Sequence, residues 1–317
     1  MMPTLEDIRY ARERIAGIAL RTPLVRLNVA DAPAEIWLKL EILQPIGSFK
    51  IRGAANAMAQ ISAEELSRGV LTASAGNMAQ GVAWCARERG IACTVISPDT
   101  APAAKTDAVE RLGGRVIRVP FERWWQTFQD RSYPGVEGTF IHAFDDLRVM
   151  AGNGTIGLEI LDVLPDADAI VIPWGGGGLA CGIAAAVRAL RPACRLYAAE
   201  VATAAPLAPA LAAGSPKVVD YRPSFVDGIG SRSVFPQMFE RARTLIDGSL
   251  VATLSETASA LALMAERNHV IAEGAGATAL AGALSGKAGS GKVVCVISGG
   301  NIDVSRLCAV LGGSIPA

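Results

Sequence analysis

The 317-residue sequence predicts an α/β protein with two lobes, each an open, twisted and mostly parallel sheet flanked by helices. Short apolar segments alternate with alanine-rich helical segments over residues 70–119, and the same alternation recurs over residues 169–297. This alternation favours parallel pairing, since a helix carries the chain back between parallel strands. Because the pattern occurs as two separate series, it also predicts a cleft between two lobes, where ligands commonly bind.

The first predicted elements lead up to a lysine. Thr4 is expected to cap a helix over residues 4–16, with Asp7 in the reciprocal position of a capping box. Residues 36–40 have the apolar pattern of a short strand, and residues 54–59 have that of a helix. Lys50 therefore falls at a junction between elements, where a reactive amine can be held. Taken alone, however, a lysine is most often a solvated surface residue.

The remaining elements follow in two series. In the first, strands are predicted over residues 70–73, 92–96 and 115–119, and helices over 78–89, 103–112 and from 122 onward. A strand over 139–144 is expected to end at Asp145 and Asp146. In the second, strands are predicted over 169–172, 195–200 and 292–297, with a helix over 257–267. Loops at the carboxyl ends of such strands are where the sites of α/β proteins lie.

Four consecutive glycines, residues 175–178, carry the strongest local signal. They stand between the strand over 169–172 and a helix that follows them. Glycines leave the backbone N–H groups free to face an anion at the helix N-terminus, with no side chain in the way. The loop is therefore predicted to bind a phosphate. Together with a lysine held elsewhere, it suggests a phosphorylated aldehyde bound as a Schiff base, and pyridoxal 5'-phosphate fits both parts.

A second glycine motif is given less weight. Gly152, Gly154 and Gly157 match the spacing of a dinucleotide-binding loop, which would indicate a nicotinamide-dependent oxidoreductase. The residues before them, 149–151, are too few for the strand that such a loop requires, and they follow a charged turn. We interpret these glycines as permitting close packing between helices.

Composition excludes several classes of function. Lysine plus arginine equals aspartate plus glutamate at 30 each, and the pI is about 6.7, so no overall field favours nucleic acid or a membrane. Charges and glycines break the apolar runs before they reach the ~18 residues of a membrane span. The first residues lack the order of a signal peptide. The sequence therefore predicts a cytoplasmic protein whose partners are small molecules.

Cysteine and histidine give no metal or hydrolytic site. The six cysteines have no close paired spacing and lie mostly in apolar segments, so they are expected to be buried thiols. His142 and His269 are too few for a histidine-rich metal centre and leave little for a hydrolytic triad. No metal is predicted.

At this point the sequence resembles a known family, the fold-type II pyridoxal-phosphate enzymes, which include threonine and serine dehydratases and serine racemase. The resemblance runs over nearly the whole chain, and four segments carry it in the family's order: residues 47–54, 74–77, 175–178 and 298–303. It implies a tryptophan synthase β-like fold. Residues 1–65 and 146–317 are then the large cofactor-binding domain, and residues 66–145 are a small, mobile domain that closes over the substrate. A symmetric homodimer is the ordinary expectation.

The resemblance also assigns roles to residues. Lys50 would carry the cofactor and act as the base at the substrate Cα, with Ser74 as the second catalytic residue. Asn77 would contact the cofactor's 3-hydroxyl and Ser298 its pyridine nitrogen, where a hydroxyl favours elimination over transamination. The full set of cofactor-binding residues is Phe49, Lys50, Asn77, Gly175, Gly176, Gly177, Gly178, Leu179 and Ser298. The substrate carboxylate is assigned to the loop Ser74, Ala75, Gly76, Asn77 and Met78.

Several departures from the family pattern bear on the reaction. Ala75 stands where serine racemases of this group have a second serine, which disfavours racemisation. Met78 replaces a histidine and Leu147 replaces a proline, so the substrate stays open. Glu200 matches the first ligand of a divalent-cation site in relatives, but the other positions lack the expected carboxylate.

Trp124 and Trp125 suggest a preference for bulky substrates. Adjacent aromatic residues usually bury area in a core, and that interpretation is the default. By resemblance, however, they lie at about the level where relatives present an arginine to the substrate. We hypothesise that one of them widens the preference toward aryl β-hydroxy amino acids such as L-threo-phenylserine.

The sequence thus predicts a pyridoxal-phosphate-dependent dehydratase, or ammonia-lyase, that converts a β-hydroxy-α-amino acid of the L-threonine or L-serine type to a 2-oxo acid and ammonia. An amino-acid racemase and a β-replacement synthase of the same fold are the alternatives, and a pyridoxal-phosphate-binding regulator is the alternative without catalysis. The chain ends soon after Ser298, so no regulatory domain is expected.

Overall fold

The computed structural model of the chain describes residues 1–74, 76–101 and 103–316. Within these residues the strands are β1 (Leu24–Arg26), β2 (Glu35–Leu40), β3 (Val70–Ala73), β4 (Cys93–Pro98), β5 (Arg115–Val119), β6 (Thr139–Phe140), β7 (Ala169–Pro173), β8 (Arg195–Val201), β9 (Gly248–Ala252) and β10 (Lys292–Ile297). The helices are α1 (Leu5–Arg14), α2 (Lys50–Met58), α3 (Ala63–Ser67), α4 (Asn77–Arg87), α5 (Ala103–Arg111), α6 (Phe121–Asp130), α7 (Leu147–Val163), α8 (Gly178–Leu190), α9 (Leu207–Ala213), α10 (Pro236–Leu245), α11 (Leu254–Asn268), α12 (Gly274–Leu284) and α13 (Val304–Leu311).

The strands form two sheets, which confirms the predicted α/β class. The larger sheet has six strands in the order β1-β2-β10-β7-β8-β9, and all neighbours are parallel except β1 and β2. The smaller sheet has four parallel strands in the order β5-β4-β3-β6. The smaller sheet lies within the predicted small domain, residues 66–145. The domain boundaries themselves, and the mobility of this domain, stay predictions.

Most predicted elements form where the local pattern placed them. The strands over 70–73, 115–119 and 292–297 have the predicted bounds. Thr4 caps α1, and its side chain and that of Asp7 each bond the other's backbone N–H as a capping box requires. Sequence-local signals were sufficient for these elements, because each depends only on neighbouring residues.

Two predicted bounds differ from the structure by four residues. The strand expected over 139–144 ends at Phe140, because the chain turns there: His142 Nδ1 accepts hydrogen bonds from the backbone N–H groups of Phe144 and Asp145, at 3.2 and 2.8 Å. The helix expected from residue 54 begins at Lys50 instead. Lys50 therefore lies in the first turn of α2 and is held by a rigid element.

The glycines of the dinucleotide-like motif lie inside α7, which confirms their interpretation as packing residues. A Cβ on Gly152 would overlap the backbone carbonyl of Arg52 in α2, and one on Gly154 would lie 2.8 Å from the Gly182 carbonyl in α8. Helix α7 can approach both neighbours closely only because these side chains are absent. The motif lies within a helix and not at a turn from a strand into a helix, so it lacks the context of a nucleotide site.

A buried network of charged side chains fixes the start of α2. The Arg52 guanidinium donates to Glu41 Oε2 at 2.8 Å and to Glu159 Oε1 at 2.7 Å, and Lys39 Nζ donates to Glu159 Oε2 at 2.5 Å. None of the four residues is more than 6% exposed. Burial acts to raise the pKa of Glu41, but the adjacent Arg52 outweighs it and the pKa is lowered. The network links β2, α2 and α7 two residues after Lys50, which restricts the movement of that lysine's backbone.

Candidate active site

A cavity of about 1460 Å³ lies between the two sheets. The carboxyl ends of β3, β7 and β10 lead into it, as expected for parallel sheets. Of the residues that the sequence assigned to the site, those that line this cavity are Phe49, Lys50, Ser74, Gly76, Asn77, Met78, Trp124, Trp125, Gly175, Gly176, Gly177, Gly178, Leu179 and Ser298. Ala75 lies outside the described residues. Folding thus brings together segments that are far apart in the chain.

The Lys50 amine faces this cavity at the start of α2. Its Nζ donates to the Ala143 carbonyl at 2.8 Å and lies 5.1 Å from the centroid of the Phe49 ring. Burial lowers the pKa of Lys50 to about 8, although the Glu273 carboxylate acts in the opposite direction. A substantial fraction of the amine is therefore neutral near pH 7–8, and a neutral amine is a nucleophile and a base.

Ser298 is joined to the lysine segment through the backbone. The Phe49 N–H donates to the Ser298 carbonyl at 3.0 Å, and Ser48 and Gly299 form an isolated bridge. Ser298 directly follows β10, is 3% exposed, and lines the cavity. A buried polar side chain at the carboxyl end of a strand can fix the orientation of a polar ring atom of a ligand.

The glycine loop has the form of an anion cradle. Gly177 has a φ of +88°, and a Cβ on it would lie 2.6 Å from the Trp174 ring. A Cβ on Gly178 would lie 2.7 Å from the Phe144 carbonyl. Helix α8 begins at Gly178, so the unpaired N–H groups of its first turn lie at the end of the helix that borders the cavity. A side chain at either position would collide with Trp174 or Phe144 and displace the loop, so the glycines present fit a bound phosphate.

The loop after β3 is held through Asn77, the first residue of α4. Ser74 Oγ accepts from the Gly76 N–H at 3.2 Å, which tightens the loop. The Asn77 amide donates to Glu273 Oε1 at 2.9 Å, and its Oδ1 accepts from Asn301 Nδ2 at 2.8 Å. Both partners belong to loops of the larger sheet, so this amide connects the two sheets across the cavity.

Sequence reasoning missed the part that Glu273 and Asn301 play. Asn301 lies in the segment 298–303 that carried the resemblance, but no role was assigned to it. Glu273 is the lone charged residue in the stretch 270–284, which is otherwise apolar or small apart from Thr278. A carboxylate in such a stretch is expected to be buried with a partner, and that signal was available.

Aromatic side chains form one wall of the cavity. The Trp125 ring is stacked on Phe128 with centroids 5.8 Å apart, and it lies 5.6 Å from Phe235. Phe235 in turn lies 5.1 Å from Phe144, which rests against the glycine loop. The indole N–H of Trp124 is buried and has no hydrogen-bond partner among the described residues. We call Trp124, Trp125, Phe128, Phe144 and Phe235 the aromatic wall; it is contributed by both sheets.

Two further positions have a structural explanation. Met78 is 2% exposed and packs in the core beside β3 as well as lining the cavity. Glu200 is fully buried in β8, where it accepts from the backbone N–H groups of Leu207 and Ala208 at 2.7 and 2.8 Å and from Ser249 Oγ at 2.6 Å. Burial raises the pKa of Glu200 despite these hydrogen bonds. Among the described residues, no group of three or more His, Cys, Asp or Glu side chains could hold a metal.

The sequence was compared with known families and proteins. The model of the family described as pyridoxal-phosphate dependent enzymes matches residues 15–299. An L-threonine ammonia-lyase of Thermotoga maritima is 38% identical over 316 residues, which cover 98% of this chain and 78% of the relative. An L-threonine ammonia-lyase of Geobacter sulfurreducens is 41% identical over 311 residues, 96% of this chain and 77% of the relative.

Solved structures agree with this similarity. Maize serine racemase superposes with a TM-score of 0.89 at 32% identity, covering 99% of this chain and 98% of the racemase. Within the described part of the chain, no helix is long and apolar enough to cross a membrane. The predicted resemblance and fold class are therefore confirmed.

Proposed function

The chain belongs to the pyridoxal-phosphate dependent enzymes and is a pyridoxal-phosphate-dependent ammonia-lyase; from this premise we propose that its substrate is a β-hydroxy-α-amino acid of the L-threonine or L-serine type, with room for an aryl side chain. The observation that carries the proposal is that the Lys50 amine, the glycine cradle and the loop after β3 all line one cavity. A relative at 41% identity that is named an L-threonine ammonia-lyase supports the same substrate class.

The cofactor would be held by residues already described. The N–H groups of the glycine loop would bind its phosphate, Ser298 would face its ring nitrogen, and Phe49 would pack beside the ring. Asn77 has one amide hydrogen in use with Glu273, so its other hydrogen is available for the cofactor's 3-hydroxyl. When bound, the cofactor supplies an electron sink that stabilises negative charge at the substrate Cα.

The chain's own groups then bind the substrate and move protons. Ser74 Oγ and the N–H groups at the start of α4 would hold the substrate carboxylate, since a helix N-terminus favours an anion. The Lys50 amine, neutral at its lowered pKa, would accept the proton from Cα. Loss of the β-hydroxyl and hydrolysis of the remaining enamine give a 2-oxo acid and ammonia. General base catalysis of this kind contributes roughly 10²- to 10⁴-fold.

The aromatic wall supports the extension to an aryl side chain. It offers ring faces and edges against which an aryl side chain can pack, and aromatic pairs add ~0.5–1.5 kcal/mol beyond the area they bury. We propose that Trp125 contacts the substrate side chain and that residues 66–145 close over it. A homodimer and a cytoplasmic location belong to the same proposal.

The first experiment compares substrates on the purified holoenzyme. L-threonine, L-serine and L-threo-phenylserine are each supplied while 2-oxo acid and ammonia are measured. Release of both products in equal amounts is expected. Formation of the D-amino acid alone would indicate a racemase, and a new amino acid formed only with added sulfide would indicate a β-replacement synthase. Either result would overturn the proposed reaction.

The side-chain preference is tested with tryptophan variants. In Trp125→Ala, kcat/KM for phenylserine is expected to fall about 10-fold relative to that for threonine, because one aromatic contact is lost. Trp124→Ala is measured in parallel. Trp84→Ala is the matched control, since Trp84 is a partly buried tryptophan of α4 that does not line the cavity. An unchanged ratio in both wall variants, in folded protein, would refute the aryl preference.

A further inference from the structure

Glu273 is a buried carboxylate that its own helix does not use. It is the N-cap residue of α12, yet its side chain makes no capping hydrogen bond there. It is 7% exposed, and among the described residues no lysine or arginine forms an ion pair with it. Its Oε1 instead accepts the Asn77 amide at 2.9 Å, across the boundary between the two sheets.

The Asn77 side chain is thereby fixed at both ends. Glu273 holds its Nδ2, and Asn301 Nδ2 donates to its Oδ1 while also donating to the Ile46 carbonyl at 2.8 Å. Because a carboxylate only accepts, this contact also determines which end of the Asn77 amide faces Glu273. Asn77 directly follows Gly76 in the loop after β3, so its position sets that of the loop.

We propose that the Glu273 carboxylate is a positioning residue: it holds Asn77, and through it the loop from Ser74 to Asn77, in the arrangement that binds cofactor and substrate. The inference rests on the binding role proposed for that loop. A hydrogen bond to a charged acceptor is roughly twice as strong as one to a neutral acceptor, so the hold is strongest when Glu273 is ionised.

The surroundings of Glu273 make its hydrogen bond with Asn77 sensitive to pH. Burial, reinforced by the Asp227 carboxylate, raises the pKa of Glu273 to about 7, while Lys105, the Asn77 hydrogen bond and Lys50 act in the opposite direction. Lys105 and Arg306 both pair with Asp227, at 2.9 Å each. His142, which interacts with Lys50, does not share this titration, because burial lowers its pKa to about 4.

Below pH 7, Glu273 is therefore expected to position the Asn77 side chain less firmly. A carboxyl whose pKa is raised binds its proton as pH falls through that value, and the charged acceptor for Asn77 is then lost. The ratio of wild-type kcat/KM to that of Glu273→Gln should therefore rise with pH. We expect it to go from near 1 at pH 5.5 to about 10 above pH 8, with a midpoint near 7. Ionisations that Glu273 does not influence cancel in the ratio. Lys50 is the exception, because the Glu273 charge raises its pKa, and the two measurements that follow separate its contribution from that of Glu273.

A second readout does not depend on turnover. Hydrogen exchange of the peptide covering residues 74–80 is compared between wild-type and Glu273→Gln holoenzymes at the same pH. The variant should exchange faster at pH 8, and the difference should vanish at pH 5.5. If no 2-oxo acid is formed from any substrate, the proposed function fails but this measurement still tests Glu273. Equal exchange in both proteins at pH 8 would overturn the positioning role.

Neighbouring charges provide a test of sign. Lys105→Gln removes a cation that lowers the pKa of Glu273, so the midpoint of the ratio should move to higher pH. Asp227→Asn removes an anion that raises the same pKa, so the midpoint should move to lower pH. Each is compared with its own Glu273→Gln double variant. Glu200→Gln is the matched control, because Glu200 is a buried carboxylate with a raised pKa that does not line the cavity. This substitution should leave the pH dependence of kcat/KM unchanged. A ratio that is independent of pH, or shifts of the same sign, would refute the proposal.

Discussion

The glycine cradle makes a sharp prediction, because two adjacent glycines differ in the space around them. A Cβ added at Gly176 would overlap the Phe144 ring, whereas one added at Gly175 would meet its nearest atom, Ile229 Cα, at 3.5 Å. Neither residue has a positive φ, so alanine is compatible with the backbone at both. Gly176→Ala and Gly175→Ala therefore differ mainly in the overlap with Phe144.

The overlap cannot be relieved without moving a packed side chain. Phe144 lies 5.1 Å from the Phe235 ring, 5.5 Å from Phe128 and 4.7 Å from His142, and its carbonyl borders Gly178. Overpacking of this kind costs about 1–3 kcal/mol. If the glycine loop moves instead of the ring, the same energy appears as weaker cofactor binding, by roughly 5- to 150-fold.

The assay is titration of the cofactor-free protein with pyridoxal 5'-phosphate, followed by absorbance and by tryptophan fluorescence, with thermal unfolding measured on the same samples. Gly176→Ala is expected to bind less tightly, and Gly175→Ala to remain within about 3-fold of wild type. Adding Phe144→Ala to Gly176→Ala should restore part of the affinity, since it makes room for the new methyl group. Equal affinities for the two single variants, or no rescue by the second substitution, would refute the reasoning.

Two further predictions follow from the ionisable groups. Uptake of pyridoxal 5'-phosphate by the cofactor-free protein should become faster with rising pH, with a midpoint near pH 8 and a plateau above it, because only the neutral Lys50 amine attacks an aldehyde. A midpoint near the ordinary value of 10.5, in stopped-flow absorbance, would contradict the lowered pKa. Arg52→Met leaves Glu41 buried without its ion-pair partner and Glu159 paired with Lys39 alone, and it should cost about 3–5 kcal/mol of unfolding free energy in urea. Arg12→Met, at an exposed pair with Asp162, should cost less than about 1 kcal/mol. Similar losses of unfolding free energy in the two variants would show that the buried network does not stabilise the fold more than an exposed ion pair does.

Much of the fold was predictable because its signals are local. Alternation of apolar strands with helices, the capping box at Thr4, and the strand–glycine–helix unit at residues 169–190 each depend on residues within about 20 positions of one another. The pairing of Lys50 with the glycine loop was predictable for a different reason: a reactive amine and a phosphate cradle are two requirements of one cofactor, so their chemistry linked them across 125 residues of sequence.

Other features could not be read from the sequence, because they depend on which strands become neighbours. The order β2-β10-β7 brings Ser298 beside Phe49, although 249 positions separate them. No local pattern encodes this contact. The turn at His142 was missed for a different reason, since the apolar pattern of residues 139–144 favours a strand, whereas the His142 side chain accepts from the backbone N–H groups of Phe144 and Asp145 and turns the chain.

The division between sequence and tertiary structure is clearest at the active site. The sequence by itself determined the residue types and the backbone freedom of the site: the lysine, the serine after a strand, and the loop of four glycines. Only the tertiary structure decided the electrostatics, because burial of Lys50 and Glu273 in one cavity shifts both pKa values toward neutrality. Desolvation and charge proximity are properties of the folded interior, and they do not exist until distant segments pack together.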